Sequence, residues 1–195
     1  MSNKSYLFAR SPTWKLEVRA PNLQRQPDAE LLSWLQETGS LTKRLRGIYR
    51  DQLKVRILFH RWQPAFIDEC RALAIPHQRY VLIREVLLHA DDRALILART
   101  VLPEATIRIA HRNLSHLGTR PLGEVIFAYP DLERRQRQFA VADGRQWSSN
   151  AKRQFDIADP LWGRRTIYAI HGQPLQVSEF FLPSLFEQTE NNAGD

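Results

Sequence analysis

The sequence predicts one α+β domain built on an antiparallel sheet. Four β-rich runs form two pairs, and two residues separate the members of each pair: 79–90 from 93–102 by Asp91-Asp92, and 164–171 from 174–182 by Gly172-Gln173. Connections of this length and composition are typical of β-hairpins. Short helical patterns precede and separate the pairs, but they do not alternate with single strands as βαβ units do. The 195 residues, 43% of them hydrophobic, suffice for a domain with its own core.

Before the first hairpin, the pattern predicts two short helices. Asp28 is a suitable N-cap for a helix over 29–37, whose leucines recur at helical spacing. Gly39 ends this helix, and Ser40 can cap a second one over 41–48. The second helix carries three basic residues, so a helix-turn-helix that reads DNA stays open for this segment. The rest of the chain does not resemble a helical DNA-binding domain.

The other segments carry weaker local signals. We expect a short strand near 14–18, a strand over 54–61, a helix from Pro64 to about Leu73, a helix over 104–117 and a strand over 123–129. The polar stretch 130–158 receives no element. Residues 1–12 and 187–195 are expected to be flexible parts of a single domain that spans 1–195.

Composition excludes several classes of protein. The net charge is +7, and only five of the 28 basic residues are lysines, but the arginines are scattered and form no basic arm. The single cysteine, Cys70, excludes an internal disulfide framework. No apolar run is long enough for a membrane span, and the first residues lack the core of a signal peptide. We therefore expect a soluble cytoplasmic protein.

Two arginines interrupt apolar strand faces in the first hairpin. Side chains alternate along a strand, so Arg84 shares a face with Leu82 and Val86. Arg99 interrupts an apolar row of the partner run, 93–102, in the same way. If the turn has two residues, position 90 pairs with 93 and Arg84 falls opposite Arg99. Like charges that face each other across a sheet destabilise it unless an anion lies between them.

A carboxylate, Glu179, interrupts the apolar face of the last run. Three interpretations stay open. Glu179 or Glu85 neutralises one of the arginines internally, or a charge lies at a sheet edge and reaches water. Alternatively, the two guanidinium groups and the carboxylate line a cavity for a small dianion that carries a hydroxyl group. That chemistry would need no metal.

Other candidate sites are weaker. His111 and His116 are five residues apart, which does not place two metal ligands on one helix face. Cys70 has no obvious histidine partner and is expected to be a buried small hydrophobe. The chain has no G-x-S-x-G motif and no glycine-rich phosphate loop. We therefore expect neither a metal nor a cofactor.

Six segments together resemble the chorismate pyruvate-lyase (chorismate lyase) family. They are LLSWLQETGSLTKRL (31–45), RYVLIREVLLHADD (79–92), ARTVLP (98–103), GTRPLGEVIF (118–127), LWGRR (161–165) and GQPLQVSEFFLP (172–183). Each is weak alone, but they occur in the family's order over most of the chain. The region 130–158 is longer than in the family pattern.

The resemblance implies a six-stranded antiparallel sheet with helical flaps that enclose an internal ligand cavity. It implies cleavage of chorismate to 4-hydroxybenzoate and pyruvate without a cofactor, the first committed step of ubiquinone biosynthesis. Arg84 falls on the family's catalytic, carboxylate-binding arginine, and Glu179 on its active-site glutamate. Leu122 and Leu41 match two further ligand-contacting positions, and the second is often methionine in the family. We expect Arg99 to support the anionic end of the substrate.

Two other functions compete with this one. Ligand-binding domains of some bacterial transcription regulators resemble chorismate lyases in fold, so the chain could be a sensor that binds a small carboxylate without catalysis. Such domains are normally fused to a winged-helix domain, for which 195 residues leave no room. Nucleic-acid binding by the arginine-rich surface would instead give a strongly salt-dependent affinity for DNA. We expect a monomer that binds a small molecule and no nucleic acid.

Overall fold

An antiparallel sheet forms the centre of the computed structural model, which describes residues 5–18, 26–110, 114 and 117–187. Its six strands are β1 (Leu53–Pro64), β2 (Tyr80–Ala90), β3 (Arg93–Leu102), β4 (Glu133–Ala142), β5 (Leu161–Ile170) and β6 (Gln173–Phe181). Their order across the sheet is β1-β2-β3-β6-β5-β4. The hairpins β2–β3 and β5–β6 therefore meet at the middle of the sheet, and the expected fold class is confirmed.

Short helices lie on both sides of the sheet. They are α1 (Ala29–Gln36), α2 (Leu41–Tyr49), α3 (Ile67–Ala72), α4 (Glu104–Ile109), α5 (Leu122–Ile126) and α6 (Ser149–Gln154). The predicted caps are present: the Asp28 carboxylate accepts from the Leu31 N–H at 2.8 Å, and the Ser40 hydroxyl accepts from the Lys43 N–H at 3.3 Å. None of the helices in the described ranges is long and apolar enough to cross a membrane.

The two faces of the sheet are covered differently. Helices α1, α2, α4 and α5 pack on one face, which we call the front face. Helices α3 and α6 pack on the other, the back face, together with Leu7, Phe8 and Trp14 of the N-terminal segment. Leu7 and Phe8 of this segment are buried, so the prediction that residues 1–12 are flexible is wrong for this part. Residues 1–4 and 188–195 lie outside the described residues.

The first hairpin differs from the predicted register. Its turn is as expected, since Asp91 has a φ of 48° and Ala90 pairs with Arg93. A β-bulge then follows, because the pairing shifts between Leu88 and His89. The bulge adds a residue to β3 and reverses which face each later side chain takes.

The consequence of the bulge is that Arg84 pairs with Thr100, whereas Arg99 pairs with Glu85. Arg84 lies on the front face and Arg99 on the back face. The predicted pairing of the two arginines is wrong.

Other expected elements are changed in the second half of the chain. The run 123–129 is not a strand: helix α5 occupies its first part, after Pro121. The structure has instead an unpredicted strand, β4, at the edge of the sheet. Its first four residues are exposed and polar, so the hydrophobic pattern gave no signal for a strand there. The expected helix over 104–117 ends at Ile109, and His111 and His116 lie outside the described residues. Near 14–18, the structure has a single β-bridge between Lys15 and Phe139.

Candidate active site

A cavity lies on the front face, between the sheet and helices α2 and α5. It has a volume of about 520 Å³, including its opening to solvent. Ala98, Thr100 and Val177, from the central strands β3 and β6, form part of its lining. These side chains are small, whereas the charged side chains beside them in the sheet are long. The sequence thus leaves space above the centre of the sheet and places charges at its borders.

Arg84 stands at one border of the cavity. Its side chain is only 1% exposed, and its Nη2 donates to the carbonyls of Gly118 and Arg120, both at 3.0 Å. Its buried Nε has no hydrogen-bond partner among the described residues, and none of their carboxylates forms an ion pair with it. Burial lowers the pKa of Arg84 from 12.5 to about 10. A buried cation without an acidic partner is unfavourable by itself and favours the entry of an anion.

Glu179 and Arg164 stand at the opposite border. They pair across β6 and β5, and Arg164 Nε donates to Glu179 Oε2 at 2.8 Å. Arg164 Nη1 also donates to the carbonyl of Glu37 at 2.7 Å, at the C-terminal end of α1. Glu179 keeps 14% of its side chain exposed and lines the cavity. It is therefore oriented by one arginine and free to accept a further hydrogen bond.

The two borders are separated by a distance suited to a ring. Arg84 lies two strands away from Glu179 and one pleat repeat further along the sheet. Strand spacing and rise place their Cα atoms about 12 Å apart. Both side chains reach inward over Thr100 and Ala98, so a small aromatic acid can lie between a guanidinium group and a carboxylate.

The first turns of two helices close the cavity from above. Leu41 and Thr42 begin α2, and Leu122 and Gly123 begin α5. N–H groups in the first turn of a helix have no partner within the helix, so they add hydrogen-bond donors to this wall. The helices approach closely: a Cβ atom on Gly123 would lie 2.8 Å from the Ser40 hydroxyl. A side chain at this position would therefore displace the Ser40 hydroxyl, which caps α2, or push the two helices apart.

The tyrosine Tyr168 lines the side of the cavity next to Glu179. Burial raises its pKa above 10, and the charge of Glu179 raises it further. Its ring contacts that of Phe127 edge-on, with centroids 5.9 Å apart. The phenol is therefore neutral at physiological pH and partly closes this side.

A comparison with protein-family models identifies the chain. Residues 11–191 match the model of the family described as chorismate lyase. The chain belongs to the chorismate lyase family. A protein of Methylococcus capsulatus named probable chorismate pyruvate-lyase is 42% identical over 159 residues, which cover 82% of this chain and 98% of that protein. Another of the same name, from Thiobacillus denitrificans, is 39% identical over 82% of this chain and 86% of its own.

Solved structures share the fold of this chorismate lyase family member at low sequence identity. The C-terminal domain of PhnF has a TM-score of 0.55 and 17% identity, over 69% of this chain and 85% of that one. A structure described as a putative transcriptional regulator from Streptomyces coelicolor has a TM-score of 0.52 and 15% identity, over 68% and 87% of the two chains. At these identities the likeness concerns the fold alone.

Four of the five residues singled out in the sequence line this family member's cavity: Leu41, Arg84, Leu122 and Glu179. The fifth, Arg99, does not. It lies on the back face, where Nε donates to Glu69 Oε1 at 2.7 Å and Nη1 donates to Glu85 Oε1 at 2.6 Å. Burial alone would lower the pKa of Arg99, but these two carboxylates raise it above its ordinary value. Contrary to expectation, the sheet therefore separates Arg99 from the cavity that the other four residues line.

Arg164 is the charged residue of the cavity lining that was not predicted from the sequence. It lies within the LWGRR segment, and alternation along β5 puts it on the same face as Tyr168. The second hairpin turns at His171 and Gly172, with φ of 46° and 76°, one residue earlier than predicted. When the turn moves by one residue, each residue of β5 pairs with a residue two positions away on β6. Because side chains alternate along a strand, the new partner lies on the same face of the sheet. The predicted pairing would therefore have placed Arg164 on the same face as Glu179, two positions from the residue opposite it.

The described residues contain no group of three or more His, Cys, Asp or Glu side chains that could hold a metal ion. Cys70 is buried among apolar side chains on the back face, away from the cavity. The polar groups available for chemistry in the cavity are thus two arginines, one glutamate, one tyrosine, hydroxyl groups of the wall and the backbone.

Proposed function

We propose that this protein is a chorismate pyruvate-lyase that converts chorismate to 4-hydroxybenzoate and pyruvate. One observation carries the proposal: the buried Arg84 guanidinium lacks an acidic partner among the described residues and faces the Glu179–Arg164 pair across a floor of small side chains. Membership of the family and the names of the two relatives support it. We further propose that the protein acts in the cytoplasm as a monomer, without a cofactor, at the committed step of ubiquinone biosynthesis.

Chorismate matches the charges of this cavity. It carries a carboxylate on its ring, a second carboxylate on its enolpyruvyl group and a ring hydroxyl. Arg84 and the first-turn N–H groups of Leu41 and Leu122 are suited to one carboxylate, because all of them donate. Glu179 can accept the hydrogen bond of the hydroxyl at the other border. Arg164 takes the supporting role toward the enolpyruvyl end that the sequence had suggested for Arg99.

The reaction needs little chemistry from the protein itself. The ether bond between the ring and the enolpyruvyl oxygen breaks, and the ring carbon that bears the hydroxyl loses its hydrogen. The ring becomes aromatic, and enolpyruvate takes up one proton to become pyruvate. Aromatisation supplies the driving force, so the site has to hold the reactive conformer and stabilise the charge that moves to the leaving oxygen. Arg84, on the ring carboxylate, is suited to the first task, and Arg164, at the enolpyruvyl end, is suited to the second.

The helices over the cavity imply a separate step of opening. Leu41 and Leu122 are buried between their helices and the cavity, so a shift of α2 or α5 would widen the exit for an aromatic acid. An exposed ion pair between Arg46 and Glu124, at 2.5 Å, joins these helices. We propose that their separation governs release of 4-hydroxybenzoate.

The deciding experiment is direct. Purified protein is mixed with chorismate in the presence of a metal chelator, and 4-hydroxybenzoate is followed by absorbance while pyruvate is quantified separately. We expect equal amounts of both products. A folded protein that yields neither product would refute the proposal.

The alternative of a non-catalytic sensor rests on the fold shared with the structure described as a putative transcriptional regulator from Streptomyces coelicolor. A sensor would bind 4-hydroxybenzoate or another small carboxylate in the same cavity but would leave chorismate intact. The same assay, combined with a binding titration, separates the two functions.

A further inference from the structure

A half-buried arginine, Arg137, lies next to the site but does not line the cavity. It comes from the edge strand β4 and pairs with Thr166 of β5, so it is on the front face beside Arg164. Its Nη1 donates to the Glu37 carbonyl at 2.7 Å, the same carbonyl that accepts from Arg164. The two guanidinium groups thus meet at one oxygen at the end of α1.

The charge of Arg137 is not balanced within the described part of the chain. Its other partners are neutral, namely the Gln36 carbonyl and the Thr166 hydroxyl, and its buried Nη2 has no hydrogen-bond partner there. No carboxylate of the described residues forms an ion pair with it. Burial lowers its pKa, and the neighbouring charge of Arg164 lowers it further. Arg137 is therefore a partly desolvated cation that, like Arg84, forms no ion pair with a carboxylate of the described residues.

The charged side chains around the cavity carry a net positive charge. Arg164 and Glu179 cancel each other, so the pair contributes no net charge. Arg84 and Arg137 each leave one positive charge unbalanced, one at each border of the cavity. The net charge is +2, which equals the charge of chorismate with opposite sign. Without Arg137, the lining alone would balance only one of the two carboxylates.

We propose that Arg137 is a positioning residue that makes the site selective for dianions. Its positive charge balances the second carboxylate, and it fixes the position of Arg164 because both side chains donate to the Glu37 carbonyl. The inference rests on the proposed function, because it takes chorismate as the substrate. The monoanionic product, 4-hydroxybenzoate, has no carboxylate at that end. Arg137 therefore favours the substrate over the product and helps the product to leave.

The test compares two stable ligands that differ by one carboxylate. 4-Hydroxyisophthalate has a second carboxylate at the ring position that carries the enolpyruvyl ether in chorismate, and 4-hydroxybenzoate lacks it. Dissociation constants of both are measured by calorimetry for the wild type and for Arg137→Gln. We expect affinity for 4-hydroxyisophthalate to fall about tenfold, the effect of losing one nearby charge in a partly desolvated site, and affinity for 4-hydroxybenzoate to change less than about threefold.

Control variants separate charge from structure. Arg135→Gln removes a charge from the same strand, but Arg135 is exposed and contacts Glu133 and the Gly172 carbonyl, so both affinities should stay constant. Arg137→Lys keeps the charge and should restore most of the selectivity. Arg137→Met, which keeps the apolar stem, serves if the glutamine variant does not fold. In turnover, the loss should appear as a higher KM for chorismate with a smaller change in kcat.

Two results would overturn the inference. If Arg137→Gln weakened the binding of both ligands equally, Arg137 would have only a structural role at the end of α1. If neither dissociation constant changed, Arg137 would have no role in binding. Both readouts are binding constants, so they are independent of turnover. If wild-type protein binds both ligands but forms no products from chorismate, the proposed function fails while the selectivity remains measurable.

Discussion

The arginines of the first hairpin, Arg84 and Arg99, allow a matched test of the site. Each is 1% exposed, and they come from adjacent strands, but they lie on opposite faces of the sheet. Arg99 is held by Glu69 and Glu85, whereas Arg84 has no acidic partner among the described residues. We therefore expect the same substitution, to methionine, to have opposite effects at the two positions.

The expected changes in the free energy of unfolding follow from the groups around each arginine. The pKa of Arg84 falls from 12.5 to about 10 because burial disfavours its charge, and this corresponds to an unfavourable term of about 3 kcal/mol in the folded state. Arg84→Met removes this term and two hydrogen bonds to carbonyls, so the free energy of unfolding should change by no more than about 1 kcal/mol. Arg99→Met leaves two carboxylates buried without their cation and should lower the free energy of unfolding by about 3–5 kcal/mol.

The measurements are urea unfolding and chorismate turnover on both variants. Arg84→Met should fold like the wild type but lose at least about 10²-fold in kcat/KM, the scale of a lost charge-stabilising group. Arg99→Met should show lower stability, and its folded fraction should keep most of the activity. The reasoning is wrong if Arg84→Met unfolds as easily as Arg99→Met, or if folded Arg84→Met turns over chorismate at a normal rate.

Four further results are expected. Gly123→Ala should lower kcat/KM at least about tenfold, because its Cβ would displace the Ser40 hydroxyl from the cap of α2 or push α5 away from it. Gly47→Ala is the control: a Cβ there meets nothing within 4 Å, so activity should be unchanged. Since the pKa of Arg84 is about 10, kcat/KM should fall as pH rises through about 10, where the cation that binds the anion is lost. In Arg84→Lys that limb should move to lower pH, and a limb that stays in place would show that another group titrates. Leu122→Ala should change both 4-hydroxybenzoate affinity and turnover, measured by titration and initial rates, and a variant unaffected in both would exclude a role of α5 in release. Treatment with a chelator followed by desalting should leave the rate unchanged, whereas a loss restored by added metal would contradict the proposed chemistry.

Periodicity predicted the hairpins and the capped helices because their signals are local. Asp28 and Ser40 cap the helices that their positions indicate, and the turn at Asp91 has the expected positive φ. Side-chain alternation also placed Arg84 and Glu179 on apolar faces. These features depend on residues close together in the chain, which one sequence contains.

The pairing across the first hairpin could not be predicted, because it depends on a bulge without a clear sequence signal. At the bulge, the consecutive residues Leu95 and Ile96 both pack in the front-face core. No glycine or proline marks this position in the sequence. Because the bulge adds one residue to β3, Arg99 lies in an ion-pair network on the back face and not in the cavity, where it was expected. Strand β4 and helix α5 were missed for a related reason: an edge strand carries polar residues, and the five-residue helix contains apolar residues that also suit a strand.

The order of the strands means that neither hairpin contains the binding site alone. Arg84 belongs to the hairpin β2–β3, and Glu179 and Arg164 belong to β5–β6, and the two hairpins join only through the β3–β6 pairing between residues about 80 positions apart in the chain. A refolding chain should consequently acquire far-ultraviolet circular dichroism before it acquires affinity for an aromatic acid. Ligand fluorescence quenching during renaturation would then time the docking of the two halves, an event that spectroscopic probes of secondary structure do not resolve.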